Sequence, residues 1–384
     1  MLQSPIHHLH QEHQAHWTEF SGWRLPERYD SAITEHMAVR NACGIFDISH
    51  MACYSIKGSR STQFLEFILC NQINKLAGQR KGLYSCLLNF AGGIIDDVIV
   101  YRIEDDHFIM VANAATREKV EAWLKEQALS FNVDINPLDD VGMLAIQGPR
   151  ALDIVTSAAP RWLNSLQAMH SFECIINERH FISRTGYTGE DGFEWIMPVE
   201  EMGRIWETSI DLGAIPCGLA ARDSLRLEAG LNLSGVDMDE SVTPLECGLA
   251  WTIGWQSSNR VFIGRSALLR QKERGIHRFR AGLLLQDKGM MRSGQKLWSD
   301  EHAKTGVITS ASYSPILARS IALARLPVDM ANIQDGGSLW VELRNGRKKA
   351  WRTQVPFVRR GAEPVQGLWL LDNVSQTQEP LIKP

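Results

Sequence analysis

Hydrophobic and polar positions follow different patterns in the two parts of the chain. Up to about residue 277, apolar runs of strand length are interspersed with segments whose apolar positions recur at helical spacing. From residue 278 onward, short apolar runs are separated by Gly, Ser, Asn and Asp, which is typical of strands joined by turns. We therefore expect an α+β protein with an all-β C-terminal module.

Individual elements can be placed within the first part. Asp30 or Ser31 can cap a helix that ends before Gly44. Farther along, the pattern predicts helices over 61–70 and 114–127 and strands over 83–89, 94–103, 107–111 and 131–135. This series of elements favours an antiparallel sheet covered on one face by helices.

A two-residue hairpin is predicted in the C-terminal module, because Asn345-Gly346 stands between two apolar strands. Arg344, Arg347, Lys348 and Lys349 surround this turn. The favoured interpretation is an edge hairpin kept soluble by its charges. The alternative is a docking surface for an acidic partner protein.

Composition narrows the functional class. The 384 residues are enough for two or three domains, and the net charge of −4 argues against a nucleic-acid-binding protein. The seven cysteines are scattered without a CxxC pair, which favours reduced thiols and a cytoplasmic location. We expect neither a secretory signal nor a membrane span, since no long apolar run occurs.

The N-terminal segment contains histidines at every third position. Residues His7, His10, His13 and His16 lack the acidic or cysteine partners that a metal site needs. A solvated, variable terminus is the prediction for this segment.

Several catalytic motifs are absent from the sequence, namely GxGxxG after a strand, GxxxxGK[ST], HExxH and GxSxG. The candidates for chemistry are carboxylates instead. Asp96 and Asp97 lie within an apolar strand, where adjacent side chains point to opposite faces. One of them is a candidate acid or base, and the pattern alone leaves open which one, or whether both are solvated at a strand end.

A glycine-rich turn and a following helix carry further polar candidates. Glu194 follows the turn 184–193 and can accept paired hydrogen bonds from a ligand, or can bond to nearby backbone. Glu190 and Asp191, at the turn itself, are expected to be solvated. Arg222 and Arg226 lie one helical turn apart, which indicates an anionic ligand or an internal salt bridge; Asp223 is expected to point elsewhere.

An ordered series of motifs extends over nearly the whole chain. It comprises Phe20–Pro26, Phe46–Met51, Gly92–Tyr101, Ile146–Pro149, Gly186–Glu194, Gly218–Gly230, Met238–Glu240, Phe262–Arg265, Ser314-Pro315, Ser320–Ala324 and Pro356–Arg359. This series resembles the T-protein family, the folate-dependent aminomethyltransferases of the glycine cleavage system. The departures are local: residues 14–20 differ, and Ala311 and Ala318 stand where glycine is usual.

The resemblance implies roles for individual residues. Asp97 corresponds to the catalytic carboxylate, and Glu194 to the residue that holds the pterin ring. The family surrounds folate at positions that correspond to Arg222, Tyr187, Asn113, Tyr84, Tyr101 and Met51. Neither a metal nor a flavin is implied.

The resemblance also implies three domains arranged as a cloverleaf around a central folate channel. These would be a discontinuous α+β folate-binding domain over 1–53 and 139–277, an inserted α+β domain over 54–138, and a β-barrel or jelly roll over 278–384.

The implied reaction moves the methylene of the aminomethyl-dihydrolipoyl arm of H-protein to tetrahydrofolate, and it releases ammonia. A folate-dependent demethylase of the same superfamily is one alternative. A folate-binding iron–sulfur assembly factor is another, but the KGCYxGQE segment of those factors is replaced here by Arg184–Asp191, which lacks cysteine. A folate-coupled amine oxidase would need an additional flavin domain.

Overall fold

A computed structural model describes residues 1–76, 78, 80–177, 179–256, 259–299, 302–344, 346–359 and 363–364, without the side chains of 302–304 and 363–364. The chain divides into two compact units. The first consists of Met1–Gly186, Glu190–Arg222 and Leu233–Ile276. The second consists of Tyr187–Gly189, Asp223–Asn232 and the described residues from His277 onward.

The α-helices are α1 His7–Glu12, α2 Ala32–Asn41, α3 Ser61–Ile68, α4 Arg117–Ala128, α5 Ala151–Ala158, α6 Leu163–Ala168, α7 Val199–Asp211, α8 Leu219–Glu228 and α9 Arg265–Arg274. The strands of the first unit are β1 Leu2–Gln3, β2 His16–Phe20, β3 Trp23–Arg28, β4 Gly44–Asp47, β5 Ala52–Lys57, β6 Gly82–Leu88, β7 Ile94–Glu104, β8 His107–Ala112, β9 Asp134–Pro137, β10 Val141–Gln147, β11 Cys174–Asn177, β12 His180–Ser183, β13 Gly192–Pro198 and β14 Ile215–Pro216. The strands of the second unit are β15 Arg278–Leu285, β16 Lys296–Ser299, β17 His302–Ser314, β18 Arg319–Pro327, β19 Ser338–Leu343, β20 Gly346–Thr353, β21 Val358–Arg359 and β22 Glu363–Pro364.

One sheet of the first unit is antiparallel, with strand order β6-β7-β8-β5-β9. Val98 and Val100 of β7 pack in one core with Phe64 of α3 and Leu124 of α4. Because strand side chains alternate, the intervening residues of β7, which include Asp97, lie on the opposite face. The predicted sheet with helices on one face is confirmed.

The other large sheet of this unit has strand order β11-β12-β13-β10-β4-β14. Phe193 and Trp195 of β13 share a core with Ile154 of α5 and Ile205 of α7. Glu194 lies between those two residues in the strand and therefore on the face opposite the core. Each of the two sheets thus buries one face under helices. The opposite face carries a predicted site residue, which is Asp97 in one sheet and Glu194 in the other.

The second unit contains a closed barrel with strand order β15-β18-β17-β16-β19-β20. Leu283 and Leu285 of β15 pack with Leu339 and Val341 of β19, as the period of two along each strand requires. The α+β class and the β-barrel in the C-terminal region are confirmed. The division into three domains at residues 53, 138 and 277 stays a prediction.

The charged hairpin of the barrel is formed by β19 and β20, in which Leu343 pairs with Gly346. Asn345 lies outside the described residues. Arg347 lies over the ring of Trp298 at 5.3 Å, and the Lys348 ammonium lies 3.4 Å from the Asp287 carboxylate. These local partners fit the edge-hairpin interpretation.

Ala318, one of the positions where the family usually has glycine, lies in the left-handed region with φ of 51°. Such a backbone conformation is strained for a residue with a Cβ and is adopted more easily by glycine.

No helix among the described residues is long and apolar enough to cross a membrane. All seven cysteines are free and buried, and burial raises the pKa of the Cys53 thiol to about 12.

The prediction of a solvated N-terminal histidine segment is wrong. His10 is fully buried in α1, and its Nε2 lies 2.8 Å from Oδ2 of Asp47. The Tyr29 hydroxyl lies 2.9 Å from His10 Nδ1, and Ser4 donates a hydrogen bond to the same carboxylate. Spacing alone missed this network because its partners are distant in sequence.

His10→Ala should destabilise the protein, because it leaves the buried Asp47 carboxylate without one of its partners. The expected loss is on the order of 3 kcal/mol in the free energy of unfolding. Urea unfolding of this variant should be compared with His8→Ala, since His8 is exposed on the same short helix. Equal stability of the two variants would contradict a structural role for His10.

Candidate active site

Asp97 is held by two neighbours at the start of β7. The Tyr84 hydroxyl donates a hydrogen bond of 2.9 Å to Oδ2, and the Asn113 amide nitrogen donates one of 2.8 Å to Oδ1. Tyr84 comes from β6, next to β7, and Asn113 directly follows β8 on its other side. Pairing of three strands therefore brings together three of the predicted site residues.

Asp96 is more deeply buried than its neighbour and is bonded differently. It accepts hydrogen bonds from the Asn113 backbone N–H at 3.0 Å and from the Ser234 hydroxyl at 3.0 Å. Asn113 Nδ2 lies 2.9 Å from Asp96 Oδ1 as well as 2.8 Å from Asp97 Oδ1. The expectation that the two carboxylates point fully apart is therefore wrong: the pairing of β6 with β7 is irregular next to Asp96, and one amide reaches both carboxylates.

Burial, and secondly the neighbouring charge of Asp96, raise the pKa of Asp97 to about 7. The hydrogen bonds from Tyr84 and Asn113 act in the opposite direction. Burial also raises the pKa of Asp96, against the hydrogen bonds from Asn113. A carboxylate whose pKa lies near neutral pH is suited to exchange a proton with a substrate amine.

An aromatic wall extends from Asp97 toward the surface. The ring of Tyr84 stacks on that of Trp251, with ring centroids 5.6 Å apart and an interplanar angle of 18°. Trp251 is 63% exposed, although it is a large apolar residue. A flat ligand or a flexible arm could therefore reach Asp97 along an aromatic surface.

Glu194 is buried within a second hydrogen-bonded group. It accepts a hydrogen bond of 2.5 Å from the Thr185 hydroxyl, and Thr185 lies 3.2 Å from the hydroxyl of Tyr101. Burial raises the pKa of Glu194, while Thr185 and the charge of Arg222 act to lower it. One oxygen of this carboxylate thus has a fixed partner.

Arg222 lines a small cleft of the first unit together with Phe46 and Asp47. Phe46 of β4 pairs with Ala145 of β10, and Ala145 pairs on its other side with Glu194 of β13. Neighbouring strands lie about 5 Å apart, so the backbones of Phe46 and Glu194 are about 10 Å apart. The charge of Arg222 acts on the Glu194 carboxylate.

The two hydrogen-bonded groups are connected through β7. Asp97 and Tyr101 are four residues apart and lie on the same face of their sheet. The ring of Tyr101 meets that of Phe181 in the other sheet at 4.8 Å. The helix-free faces of the two sheets thus approach each other within the first unit, and they carry Asp97 and Glu194.

Met51 and Tyr187, the two remaining predicted site residues, form contacts in different parts of the chain. Met51 lies in the turn before β5, and its carbonyl accepts a hydrogen bond of 2.9 Å from Arg117. Tyr187 belongs to the second unit, where its hydroxyl donates a hydrogen bond to the Asn232 carbonyl. Their contact with a ligand stays a prediction.

Of the two turn carboxylates expected to be solvated, Glu190 contradicts the expectation and Asp191 does not. Glu190 is not solvated: it forms a 2.7 Å ion pair with Arg40, which is itself buried. Asp191 is exposed, as expected, and it pairs with Arg184 of the same turn at 2.5 Å. The pair of Glu190 with Arg40 forms because the turn folds back on a distant segment, which the local sequence does not reveal.

Asp223 does not point away from the helix arginines. It accepts a hydrogen bond of 2.8 Å from Arg226, whose guanidinium also donates one of 2.9 Å to the Ser310 hydroxyl. Arg226 is buried and is held by protein groups of the second unit. Arg222 and Arg226, which were considered together as a pair from the sequence, therefore lie in different environments. Arg222 lines a cleft of the first unit, whereas Arg226 is held within the second unit.

Sequence reasoning missed Thr185, Trp251 and His50. Thr185 lies in the glycine-rich turn, directly before the motif Gly186–Glu194, but a hydroxyl that positions a carboxylate has no pattern of its own. Trp251 would have been detectable only as a large aromatic residue in the turn-rich segment 243–256. His50 is buried beside Asp47, next to the predicted pocket residue Met51.

Comparison with known proteins places these residues in a family. Residues 6–257 match the family model of the GCVT N-terminal domain, and residues 278–359 match that of the glycine cleavage T-protein C-terminal barrel domain. The chain is 46% identical over 358 residues to an aminomethyltransferase of Methylococcus capsulatus, covering 92% of this chain and 96% of the relative. It is 44% identical over 359 residues to an aminomethyltransferase of Legionella pneumophila, with 93% and 98% covered.

A solved structure agrees with these matches. The crystal structure of glycine cleavage system aminomethyltransferase T from Bartonella henselae superposes with a TM-score of 0.88 at 33% sequence identity. The match covers 93% of this chain and 98% of that chain.

The carboxyl group of Asp97 should titrate near pH 7, and two substitutions should move its pKa in opposite directions. Asp96→Asn should lower the pKa, because it removes a negative charge beside Asp97. Tyr84→Phe should raise it, because the hydrogen bond that favours the charged form is lost. Carboxyl-carbon NMR of protein labelled at aspartate measures both shifts, and shifts of the same sign would contradict the described geometry.

Proposed function

The chain belongs to the glycine cleavage T-protein family, and on that premise we propose that it is the aminomethyltransferase of a glycine cleavage system. It transfers the methylene of the aminomethyl-dihydrolipoyl arm of H-protein to tetrahydrofolate. The products are ammonia, 5,10-methylenetetrahydrofolate and the reduced dihydrolipoyl arm. The observation that carries the proposal is the Asp97 carboxylate, which Tyr84 and Asn113 orient and whose pKa is raised to about 7.

Asp97 acts on the folate amine that attacks the methylene. Departure of ammonia leaves a cationic methylene on the dihydrolipoyl sulfur, and one folate amine loses a proton when it forms a C–N bond to this carbon. The C–S bond then breaks, the sulfur takes up a proton, and the second folate amine loses a proton as it closes the methylene bridge. A carboxylate near the attacking amine accepts its proton and stabilises the positive charge that develops. Because Tyr84 and Asn113 fix both oxygens, no reorientation is required during the reaction.

Glu194 is proposed to hold the pterin ring. This ring carries a ring N–H beside an exocyclic amine, and a carboxylate can accept hydrogen bonds from both. The bond from Thr185 fixes the carboxylate in place, and Arg222 provides a cation beside it. Tyr101 supports Thr185 from the other side, while Met51 and Tyr187 are proposed as further contacts of the folate.

Lipoylated H-protein and tetrahydrofolate are accordingly the proposed partner and co-substrate. The exposed ring of Trp251, stacked on Tyr84, offers an approach to Asp97 for a flexible arm that enters from solvent. The proposed location is the cytoplasm, in agreement with seven free cysteines. A demethylase of the same superfamily would use the same folate contacts, so activity with lipoylated H-protein separates the two functions.

Asp97→Asn should slow aminomethyl transfer by a hundredfold or more, which is about the contribution of a general base. The assay is ammonia release from aminomethylated H-protein with and without tetrahydrofolate. Asp96→Asn is the matched variant and should lose less activity, since Asp96 is bonded within the protein. Full turnover by Asp97→Asn would refute its role, and absence of folate-dependent ammonia release from the parent protein would refute the proposed function.

Glu194→Gln should weaken tetrahydrofolate binding, because an amide presents one acceptor and one mismatched donor to the paired N–H groups of the pterin. The expected loss is about 1.5–3 kcal/mol of binding free energy. Isothermal titration calorimetry measures it, and thermal unfolding of the folate-free variant provides the control for stability. An unchanged dissociation constant would remove Glu194 from the pterin site.

A further inference from the structure

His50 is a buried residue whose environment leaves one of its ring nitrogens without a protein partner. It lies in the turn that connects β4 of one sheet to β5 of the other, and a 3.0 Å hydrogen bond from Met51 N to the Ile48 carbonyl closes that turn. Its exposed fraction is 2%, and its Nδ1 has no hydrogen-bond partner among the described residues.

The surroundings of His50 explain why no protein group satisfies Nδ1. The ring of Phe20 meets the imidazole edge-on at 5.9 Å and offers no acceptor or donor. The nearby Asp47 carboxylate is already occupied by Ser4 and His10 at Oδ2 and by the Ser49 backbone N–H at Oδ1. An unsatisfied buried polar group reduces stability, so a water molecule or a ligand is the expected partner of Nδ1.

His50 directly precedes Met51, a proposed folate contact, and it is linked through Arg222 to the group that is proposed to bind the pterin. Asp47, three residues earlier, lines the same cleft as Arg222. The charge of Arg222 acts on both His50 and Glu194. Burial, and secondly this charge, lower the pKa of His50 to about 3. The imidazole is therefore neutral at physiological pH, with one nitrogen that donates and one that accepts.

We propose that His50 is a further substrate-binding residue, whose Nδ1 forms a hydrogen bond with the polar edge of the pterin ring beside Glu194. This inference rests on the proposed function. The two N–H groups of the pterin that Glu194 accepts lie next to a ring carbonyl, and that carbonyl requires a donor when it is desolvated. A neutral imidazole N–H supplies the donor without adding a second positive charge beside Arg222.

Three substitutions of His50 separate ligand binding from structure. His50→Phe retains a ring but removes Nδ1. His50→Asn retains an amide nitrogen close to the position of Nδ1, whereas His50→Gln places its amide near the position of Nε2. We expect tetrahydrofolate affinity to fall about tenfold to a hundredfold in the Phe variant. The Asn variant should recover most of that affinity and the Gln variant should not.

The matched control is His180→Phe. His180 is also buried, but its Nδ1 accepts a hydrogen bond of 3.1 Å from Trp195 Nε1, and its Nε2 lies 3.2 Å from the Glu201 carboxylate. This variant should lose thermal stability with unchanged folate affinity. His50→Phe should show the reverse, with a melting temperature of the folate-free protein that is equal or higher and a weaker affinity. In turnover assays it should raise the KM for tetrahydrofolate more than it lowers kcat.

Calorimetric titration with tetrahydrofolate gives distinguishable outcomes. If His50→Phe binds within twofold of the parent protein, Nδ1 is met by water alone and the inference is overturned. If His50→Phe does not fold, equal affinities of the Asn and Gln variants overturn it. Failure of the parent protein itself to bind tetrahydrofolate would refute the proposed function instead.

Discussion

The burial of two adjacent carboxylates on one strand is the constraint on which the candidate site depends. Asp96 and Asp97 share the amide of Asn113, so each carboxylate is held by hydrogen bonds while each disfavours the ionisation of the other. Burial, and secondly the neighbouring like charge, raise the pKa of Asp97, whereas hydrogen bonds to the charged form lower it. The balance leaves Asp97 with a pKa of about 7, close to the pH at which a base must work.

The sheets supply the rigidity that this balance requires. Tyr84 lies in β6 and Asp97 in β7, and Asn113 directly follows β8. These three strands are neighbours in one sheet, and their pairing fixes the backbone that carries the three side chains. The face behind them is closed by the helices α3 and α4. The face that packs against the helices buries the apolar side chains that stabilise the sheet. The opposite face can therefore carry polar side chains.

Buried polar groups of the chain differ in how fully they are paired. The Arg40–Glu190 pair and the network of His10 and Asp47 are satisfied within the protein. His50 keeps a nitrogen without a partner among the described residues. Trp206 Nε1, in the core of the first unit, likewise has no partner among the described residues. What distinguishes His50 is its position directly before Met51 and near the charge of Arg222, two of the predicted site residues.

The sequence by itself determined the class of fold and the family. Periodicity predicted the strands β6, β7, β8 and β9 of the first sheet to within a few residues and the all-β character from residue 278, because these properties depend on local spacing, but it did not predict β5. The ordered motifs predicted Asp97 and Glu194 as site residues through the resemblance, and these assignments stay predictions of function. Local pattern alone had left open which of the two aspartates is exposed to a substrate.

Only the tertiary structure decided the environments of the charged residues. The burial of His10, the pairing of Glu190 with Arg40 and the bond between Asp223 and Arg226 all contradicted expectations from local pattern. Two of these three interactions join residues far apart in sequence, and the third depends on which helix face is buried. A residue's charge state depends on what surrounds it in space, and spacing along the chain does not contain that information.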